Sequence, residues 1–387
     1  MNVTKCDFVT SSKNALTNNC SYLLHSNINH SEITLNASSP FHNPLFLQAL
    51  EQQACVGANS GWQPHHIELP DHQLLFPSYL KSHSYGEYVF DWAWADAYQR
   101  YGLQYYPKLV TMQPFTPIGG QKHFGNALTD SAVSQLTDSV VDICQQQSLS
   151  SWHCNFIEQY FAEQLQSNGM MTRHGVQFEW HNQGYASFED YVSRFTSRKR
   201  KTTNKERRVA ISSVDEIVWR TGDDINYQAL EAFYLCYQTT YMKRGQKGYL
   251  SFGFFQQLAK QMGDNMLLVT AEKDQKIVAS ALFFFDQDNL YGRYWGCLQE
   301  LDMLHFELCF YQGIEFAITK GMQRFNPGTQ GEHKLYRGFE PVTTYSSHYV
   351  ARSDFSAAIK DFCLEEQRQI AQYAEQCKKL LPYKIQA

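Results

Sequence analysis

Residues 266–297 constrain the fold more than any other segment, because they hold three consecutive runs rich in β-branched and aromatic residues. The runs read MLLVTAEKD, KIVASALFFFD and NLYGRYWG. Short polar breaks at 273–275 and 286–289 separate them, which is the spacing of β-hairpins. The pattern predicts an antiparallel meander of three strands.

The elements around this meander give the second half a mixed order of α-α-β-β-β-α-β-loop-β-α. The apolar helical pattern that follows the meander ends before Gly321. The predicted helices cover residues 225–242, 252–262, 304–320 and 354–381, and the later strands cover 324–328 and 343–351. The first half is also mixed, with helices predicted at 90–101, 128–147 and 156–166 and strands within 64–90 and at 176–182.

A chain of 387 residues exceeds the size at which a single core usually stops growing, so two domains are expected. The one strong basic run, TSRKRKTTNKERR, lies between the halves. We predict a polar lead-in (1–35), an N-terminal domain (36–185), a basic helical connector (186–222) and a C-terminal domain (223–387).

Charge and cysteine usage narrow the class of partner. The chain has 33 Lys plus Arg and 38 Asp plus Glu, so it carries no net positive charge that would attract DNA. DNA is therefore not expected as a partner. The ten cysteines are scattered without a Cys-x-x-Cys pair, which indicates reduced thiols in a cytoplasmic protein. Neither a secretory signal nor a run of about 20 apolar residues is present.

Several long strings carry a resemblance to a known family. They are SYGEYVFDWAWADAY (84–98), YYPKL (105–109), HNQGYASFEDY (181–191) with SRKRK (197–201), and HFELCFYQGIEFAITKG (305–321) followed by TQGEHKLYRGFEP (329–341). These strings resemble the FemAB-like predicted N-acyltransferases, a bacterial family linked to peptidoglycan biosynthesis or recognition. The element order of the second half is similar to the Gcn5-related N-acetyltransferase (GNAT) fold.

The resemblance implies an α+β protein with tandem GNAT-like domains, each a mixed, mostly antiparallel sheet flanked by helices. It implies transfer of an acyl or aminoacyl group to a small-molecule or lipid amine, with no permanently bound cofactor. The activated cosubstrate stays open between acyl-CoA, acyl carrier protein and aminoacyl-tRNA. The chain departs from the motif of the GNAT acetyl-CoA loop, because the segment that most resembles this motif, residues 311–314, lies inside the predicted helix.

Acyl transfer to an amine needs a base for the amine proton and donors for the tetrahedral oxyanion. Such groups cluster at the start of the apolar helix and in the loop after the next strand, where glycines at 331 and 338 flank the charged residues. The predicted catalytic residues are His305, Glu307, Glu332, His333 and Lys334. Glu307 is the preferred base, and the alternative is a helix-start ion pair for His305 and Glu307 and a solvated loop for the others.

Two further groups of residues have candidate binding roles. The donor phosphate is assigned to the basic residues Arg198, Lys199, Arg200, Lys201 and Arg337, with a solvated helix face as the alternative. The acceptor is assigned to Lys81, His83, Tyr85, Glu87, Asp91 and Trp94, the first four alternating along an apparent strand. The alternative is that this row lies on a solvent-exposed face of the sheet and that the nearby tryptophans belong to the hydrophobic core.

Other functions remain open at this point. A non-catalytic module that binds peptidoglycan precursors or another anionic ligand would keep the same scaffold. A long-chain acyltransferase acting on an amino-lipid, with peripheral membrane contact, would need a long apolar cavity. No metal site is predicted, because no His-Glu-x-x-His or comparable ligand spacing occurs.

Overall fold

A computed structural model gives the structure of the chain and describes residues 22–329 and 331–384. Most of the predicted polar lead-in, with Cys6 and Cys20, lies outside the described residues. The cysteines within the described ranges are free thiols. None of the helices in these ranges combines the length and the apolar character that a membrane crossing requires.

Strands and helices alternate along both halves. The strands are β1 Leu23–His25, β2 Trp62–Pro64, β3 His66–Leu69, β4 Leu74–Phe76, β5 Ser78–Lys81, β6 Lys108–Thr111, β7 Phe124–Gly125, β8 Ser151–Ile157, β9 Met171–His181, β10 Glu216–Arg220, β11 Met266–Lys273, β12 Lys276–Phe285, β13 Asn289–Cys297, β14 Arg324–Asn326 and β15 Glu340–Val350. The helices are α1 Pro44–Gln52, α2 Trp92–Arg100, α3 Asp130–Gln146, α4 Gln159–Ser167, α5 Phe188–Ser193, α6 Ser197–Ile211, α7 Tyr227–Met242, α8 Phe252–Met262, α9 Leu304–Phe306, α10 Gln312–Thr319 and α11 Ser353–Lys378. A π-helical turn, Glu307–Tyr311, joins α9 to α10.

The predicted meander is present as β11, β12 and β13, paired in antiparallel order. Asp274 and Gln275 both have positive φ, which is the backbone of the two-residue turn that joins twisted strands. The preceding helices begin at side-chain caps, since Asn226 and Ser251 accept hydrogen bonds from backbone N–H groups one turn ahead. Local sequence chemistry therefore accounts for this part of the fold.

Each half contains one parallel strand pair, formed where a helix crosses back over the sheet. In the second half β13 and β14 are parallel, and the helix from α9 to α10 connects them. In the first half β6 and β8 are parallel and α3 connects them. The other strands of each half pair in antiparallel order, so both halves have the predicted GNAT-like α+β arrangement.

The last strand of each half is exchanged with the other half. β9, from the first half, pairs with β14 of the second, whereas β15 pairs with β8 of the first. β9 and β15 also pair with each other over most of their length. Through the described residues the result is one continuous sheet of eleven strands, in the order β10-β11-β12-β13-β14-β9-β15-β8-β6-β5-β2, and β1, β3, β4 and β7 form a separate four-stranded sheet.

Side chains from both halves share one apolar core. Phe41 and Phe46, from the first half, contact the rings of Phe254 and Phe284 from the second. The core and the exchanged strands hold the two parallel pairs in fixed positions relative to each other. The domain boundaries given above stay predictions.

The structure differs from the sequence expectations in three places. The strand predicted to continue past Lys81 ends there, and residues 82–91 have no regular structure. β8 was not predicted, although it lies in the middle of the sheet. β10 falls inside the segment expected to be a helical connector and forms one edge of the sheet.

Candidate functional site

A cavity of about 670 Å³ opens where β13 and β14 separate, and we call it the β13–β14 cavity. The two strands pair only from Asn289 to Tyr291 on the β13 side. A β-bulge then follows, since Leu282 pairs with Tyr294 and Phe283 with Gly292. The carboxyl ends of diverging parallel strands are a common place for ligands, and bulges frequently lie next to active sites.

Four structural segments line this cavity. They are the irregular loop after β5, helix α7 with the loop that follows it, strands β12 and β13, and the start of the helix α9–α10 with the loop after β14. The lining residues used below are Tyr85, Trp92, Arg244, Gly292, Arg293, His305, Cys309, Gly328, His333 and Lys334.

Lys334 is the most unusual group in the cavity wall. It is 2% exposed, and its ammonium group donates to the carbonyls of Gly328 at 2.7 Å and Thr329 at 3.2 Å. It forms no ion pair with any carboxylate in the described residues. Burial lowers the pKa of Lys334 to about 7, and the neighbouring charge of Arg293 acts in the same direction. Near neutral pH this amine is therefore available both as a proton carrier and as a cation.

His333 and His305 line the same cavity as Lys334. Their ring centroids lie 6.3 Å apart, and both contact the ring of Phe310. Burial lowers the pKa of His305 to about 4, and it also lowers the pKa of His333. Both imidazoles are therefore mostly neutral near neutral pH, and a neutral imidazole can accept a proton.

The two glycines that flank this loop serve packing. A Cβ on Gly331 would lie 2.3 Å from the ring of His333, so the glycine lets that ring fold back over the backbone. A Cβ on Gly338 would lie 2.1 Å from the hydroxyl of Tyr191, whose proton is donated to the carbonyl of Arg337. This packing leaves neither glycine as a point where the backbone approaches a substrate closely.

The structure places Glu307 away from the cavity, contrary to the expectation that it faces the transfer site. The carboxylate is fully buried and pairs with the guanidinium of Arg207 at 2.9 Å. It also accepts from the side-chain amide of Gln312 at 2.7 Å. A buried carboxylate held by three donors is a structural ion pair, so this geometry does not support Glu307 as the base.

Glu332 and Arg337 also lie outside the cavity. Glu332 is exposed and accepts a hydrogen bond from the hydroxyl of Tyr373 at 2.8 Å. The guanidinium of Arg337 stacks 3.6 Å from the ring of Phe306 and pairs with Glu206 at 2.7 Å. Of the five predicted catalytic residues, the cavity brings together His305, His333 and Lys334.

The predicted acceptor row divides into separate environments. Tyr85 alone lines the cavity, and its exposed ring contacts Trp92. The ammonium group of Lys81 lies 3.8 Å from the ring of Trp62 and 3.5 Å from His83. The ring of His83 also forms a hydrogen bond with the carbonyl of Ser60.

The other members of that row belong to a sealed polar cluster. Glu87 and Asp91 both pair with Lys108, which is fully buried. Trp94 is buried against the rings of His153 and His348. These positions cannot contact an acceptor, because the row does not continue as a strand and its side chains turn into the core.

The predicted phosphate tract forms the first turns of α6 and does not line the cavity. Arg198 and Lys201 are exposed, and Arg200 is half-buried. Lys199 lies 4.0 Å from the ring of Tyr336, which belongs to the same loop as Lys334. Phosphate binding by residues 198–201 stays a prediction.

Two arginines of the cavity were missed by sequence reasoning. Arg293 is the extra residue of the β13 bulge and donates to the carbonyl of Phe115, and Arg244 is exposed after the end of α7. The glycine at 292 was the available signal, since an isolated glycine in a strand often marks a bulge. With Lys334 these arginines give the cavity three cationic side chains, and no described residue of its lining is an aspartate or glutamate.

His305, His333 and Cys309 are the side chains of this lining that metal or thiol chemistry would use. Within residues 22–329 and 331–384, no group of three His, Cys, Asp or Glu side chains is arranged to hold a metal ion. Cys309 reaches the cavity, but burial raises the pKa of its thiol, which keeps it protonated and weakly nucleophilic.

Comparison with known proteins identifies the family. The model of the FemAB-like family, described as peptidoglycan biosynthesis/recognition, matches residues 26–385. The chain belongs to the FemAB-like family. No curated protein matches the sequence. In this family member, residues 311–314, the nearest match to the motif of a GNAT acetyl-CoA loop, are helical, and Gly313 packs against the ring of Phe325.

Several solved structures are similar to this chain at low sequence identity. The C-terminal domain (DUF2156) of a putative lysylphosphatidylglycerol synthetase from Agrobacterium fabrum has a TM-score of 0.52 and 8% identity, covering 86% of this chain and 94% of that one. L-PGS from Bacillus licheniformis has a TM-score of 0.48 and 12% identity, covering 84% and 96%. FemX has a TM-score of 0.47 and 10% identity, covering 82% and 94%.

Proposed function

We propose that this protein is an N-acyltransferase that moves an acyl or aminoacyl group from an activated donor to an amine inside the β13–β14 cavity. The observation that carries the proposal is the buried Lys334 beside His333 in a cavity without a described carboxylate. Membership of the FemAB-like family supports it. The neighbours titled lysylphosphatidylglycerol synthetase and FemX direct attention to aminoacyl donors and to lipid-linked or peptidoglycan amines as the first substrates to test.

The charges of the cavity favour an anionic donor. Arg244, Arg293 and Lys334 would attract the phosphates of CoA, of a carrier-protein arm or of a tRNA end. The same charges disfavour an ammonium ion, so the acceptor reacts as the neutral amine.

The reaction then follows from two side chains. The amine nitrogen bonds to the donor carbonyl carbon and loses its proton to the neutral imidazole of His333. The ammonium of Lys334, with two of its N–H groups bound to carbonyls, directs the third at the developing oxyanion. The C–S or C–O bond to the donor breaks, and the leaving sulfur or oxygen takes the proton from His333.

The test is transfer by the purified chain across three donor classes. Labelled acyl-CoA, acyl carrier protein and aminoacyl-tRNA are each combined with soluble and lipid-linked amines. We expect turnover with one class, a loss of at least about 100-fold in kcat for Lys334→Met, and full activity for Lys260→Met, a matched change on the exposed face of α8. Equal kcat values for the first variant and the wild type would overturn the assignment.

A binding module is the second candidate, and the position of Glu307 favours it. Without that carboxylate, the cavity holds cations and aromatic rings that suit an anionic ligand whether or not a reaction follows. The two functions separate in the same assay. Saturable binding of a donor without turnover, lost in Lys334→Met, would establish binding alone.

A further inference from the structure

A second cavity of about 620 Å³ lies at the parallel strand pair of the first half, and we call it the β6–β8 cavity. Its wall includes Gln113, which follows β6, and Ile157 and Glu158, which end β8. It therefore occupies the position in the first half that the β13–β14 cavity occupies in the second. The two cavities share no lining residue in the described parts of the chain.

A buried lysine also stands in the wall of this second cavity. Lys122 is 2% exposed, and its ammonium group donates to the side-chain oxygen of Gln113 at 2.7 Å and to the carbonyl of Ile118 at 3.1 Å. Among the described residues it has no carboxylate within ion-pair distance. Burial lowers its pKa to about 8, so most molecules still carry the charge near neutral pH.

A buried ammonium group that lacks a counter-ion is costly, because neutral acceptors replace only part of its hydration. Two hydrogen-bond acceptors leave the third N–H of Lys122 without a partner among the described residues. The charge of Glu158 favours the cation, but no described group accepts the third N–H, whereas an oxyanion in the cavity would.

The rest of the wall fits a polar organic ligand better than a bare ion. Gln177 and Asn326 are buried and bonded to each other at 3.0 Å, and Asn326 also donates to Glu179 at 3.1 Å. Beside Lys122 the backbone of Gly119 and Gly120 is bare, since a Cβ on either would have no atom within 4 Å. The volume is within the range of small-molecule sites.

We propose that the β6–β8 cavity is a second ligand site, in which Lys122 binds the carboxylate or phosphate of a polar small molecule whose other groups face Gln177, Asn326 and Glu179. The site is independent of the transfer proposed for the β13–β14 cavity. It would exist in a catalyst and in a binding module alike.

Calorimetric titration of the full chain tests this site with two matched pairs of probes. One pair is acetyl-glycylglycine and its C-terminal amide, and the other is glycerol 3-phosphate and glycerol. We expect the charged member of at least one pair to bind and its neutral counterpart to bind at least about tenfold more weakly. The pair that responds identifies the anion as a carboxylate or a phosphate.

Variants assign the binding to this cavity. Lys122→Met should weaken it by at least about tenfold, whereas Lys334→Met, a matched change in the other cavity, should leave it unchanged. If Lys122→Met does not fold, Gly119→Leu provides a second test, because it fills the cavity at a position with free space and ordinary φ. Absence of binding by both anions, or binding that Lys334→Met abolishes and the other two variants retain, would overturn the proposal.

Discussion

Replacing Lys334 with methionine should change the pH dependence of stability in a way that few other substitutions could. Burial lowers the pKa of Lys334 from 10.5 to about 7. Between these values the unfolded chain binds a proton at this lysine that the folded chain does not, so the contribution of Lys334 to the stability of the wild type rises with pH over this interval. At about 1.4 kcal/mol per pKa unit, the penalty on the folded state is about 4 kcal/mol near pH 7 and about 1 kcal/mol near pH 10.

Methionine removes the titrating group but leaves the carbonyls of Gly328 and Thr329 without their donor. Losing two such hydrogen bonds costs about 2 kcal/mol in total. The variant should therefore be more stable than the wild type by about 2 kcal/mol near pH 7 and less stable by about 1 kcal/mol near pH 10. The sign of the difference reverses within the titration interval.

Urea unfolding at a series of pH values, followed by circular dichroism, measures this difference directly. Other titrating groups are common to both proteins and cancel in the comparison. Lys260→Met, on an exposed position, should show a difference near zero throughout. A difference between Lys334→Met and the wild type that does not vary with pH would refute the reasoning, because it would mean that the lysine titrates normally.

Substitutions at three further positions test structural assignments. Glu307→Ala should lower the free energy of unfolding, measured by urea unfolding, by about 3–5 kcal/mol because it leaves Arg207 partly unpaired in a buried site. Folded Glu307→Gln should keep its specific activity in the transfer assay. Lys108→Met should lower the free energy of unfolding by a similar amount, about 3–5 kcal/mol, because two buried carboxylates lose their cation. A decrease below about 1 kcal/mol, as is usual for substitutions of exposed residues, would contradict the pairing. Gly331→Ala should displace the ring of His333 and lower kcat, and it should also lower the free energy of unfolding, because alanine is strained at the φ of +109° that Gly331 adopts; unchanged kinetics of the folded variant would exclude a role for that ring position.

The elements that local chemistry determines could be predicted from the sequence. The β11–β13 meander follows from alternating apolar residues and a tight turn at Asp274 and Gln275, and the helices before it follow from their caps. The sequence also predicts the loop that carries His333 and Lys334, because charged residues stand between glycines directly after a strand. These features depend on neighbours a few residues apart.

The features that the sequence did not reveal depend on distant partners. β8 reads SWHCNFI and is buried along its whole length, so its alternating polar residues Ser151, His153 and Asn155 face the interior of the protein and mark no solvent-exposed face. Its polar groups form hydrogen bonds with neighbouring strands of the sheet. His153 bonds His348 at 2.7 Å, and the indole N–H of Trp152 donates to the hydroxyl of Thr111 at 2.9 Å. Glu307 was misplaced for the same reason, since its partner Arg207 is 100 positions away in the chain.

The exchange of β9 and β15 limits how this molecule can admit a ligand. A clamshell motion about a hinge between the halves would have to break the ladders that join β9 to β14 and β15 to β8. The irregular segment 82–91, which lines the β13–β14 cavity through exposed Tyr85 and Phe90, lies outside those ladders. Admission of a ligand therefore does not require a hinge motion of the two halves, and the frame that carries Lys334 stays rigid.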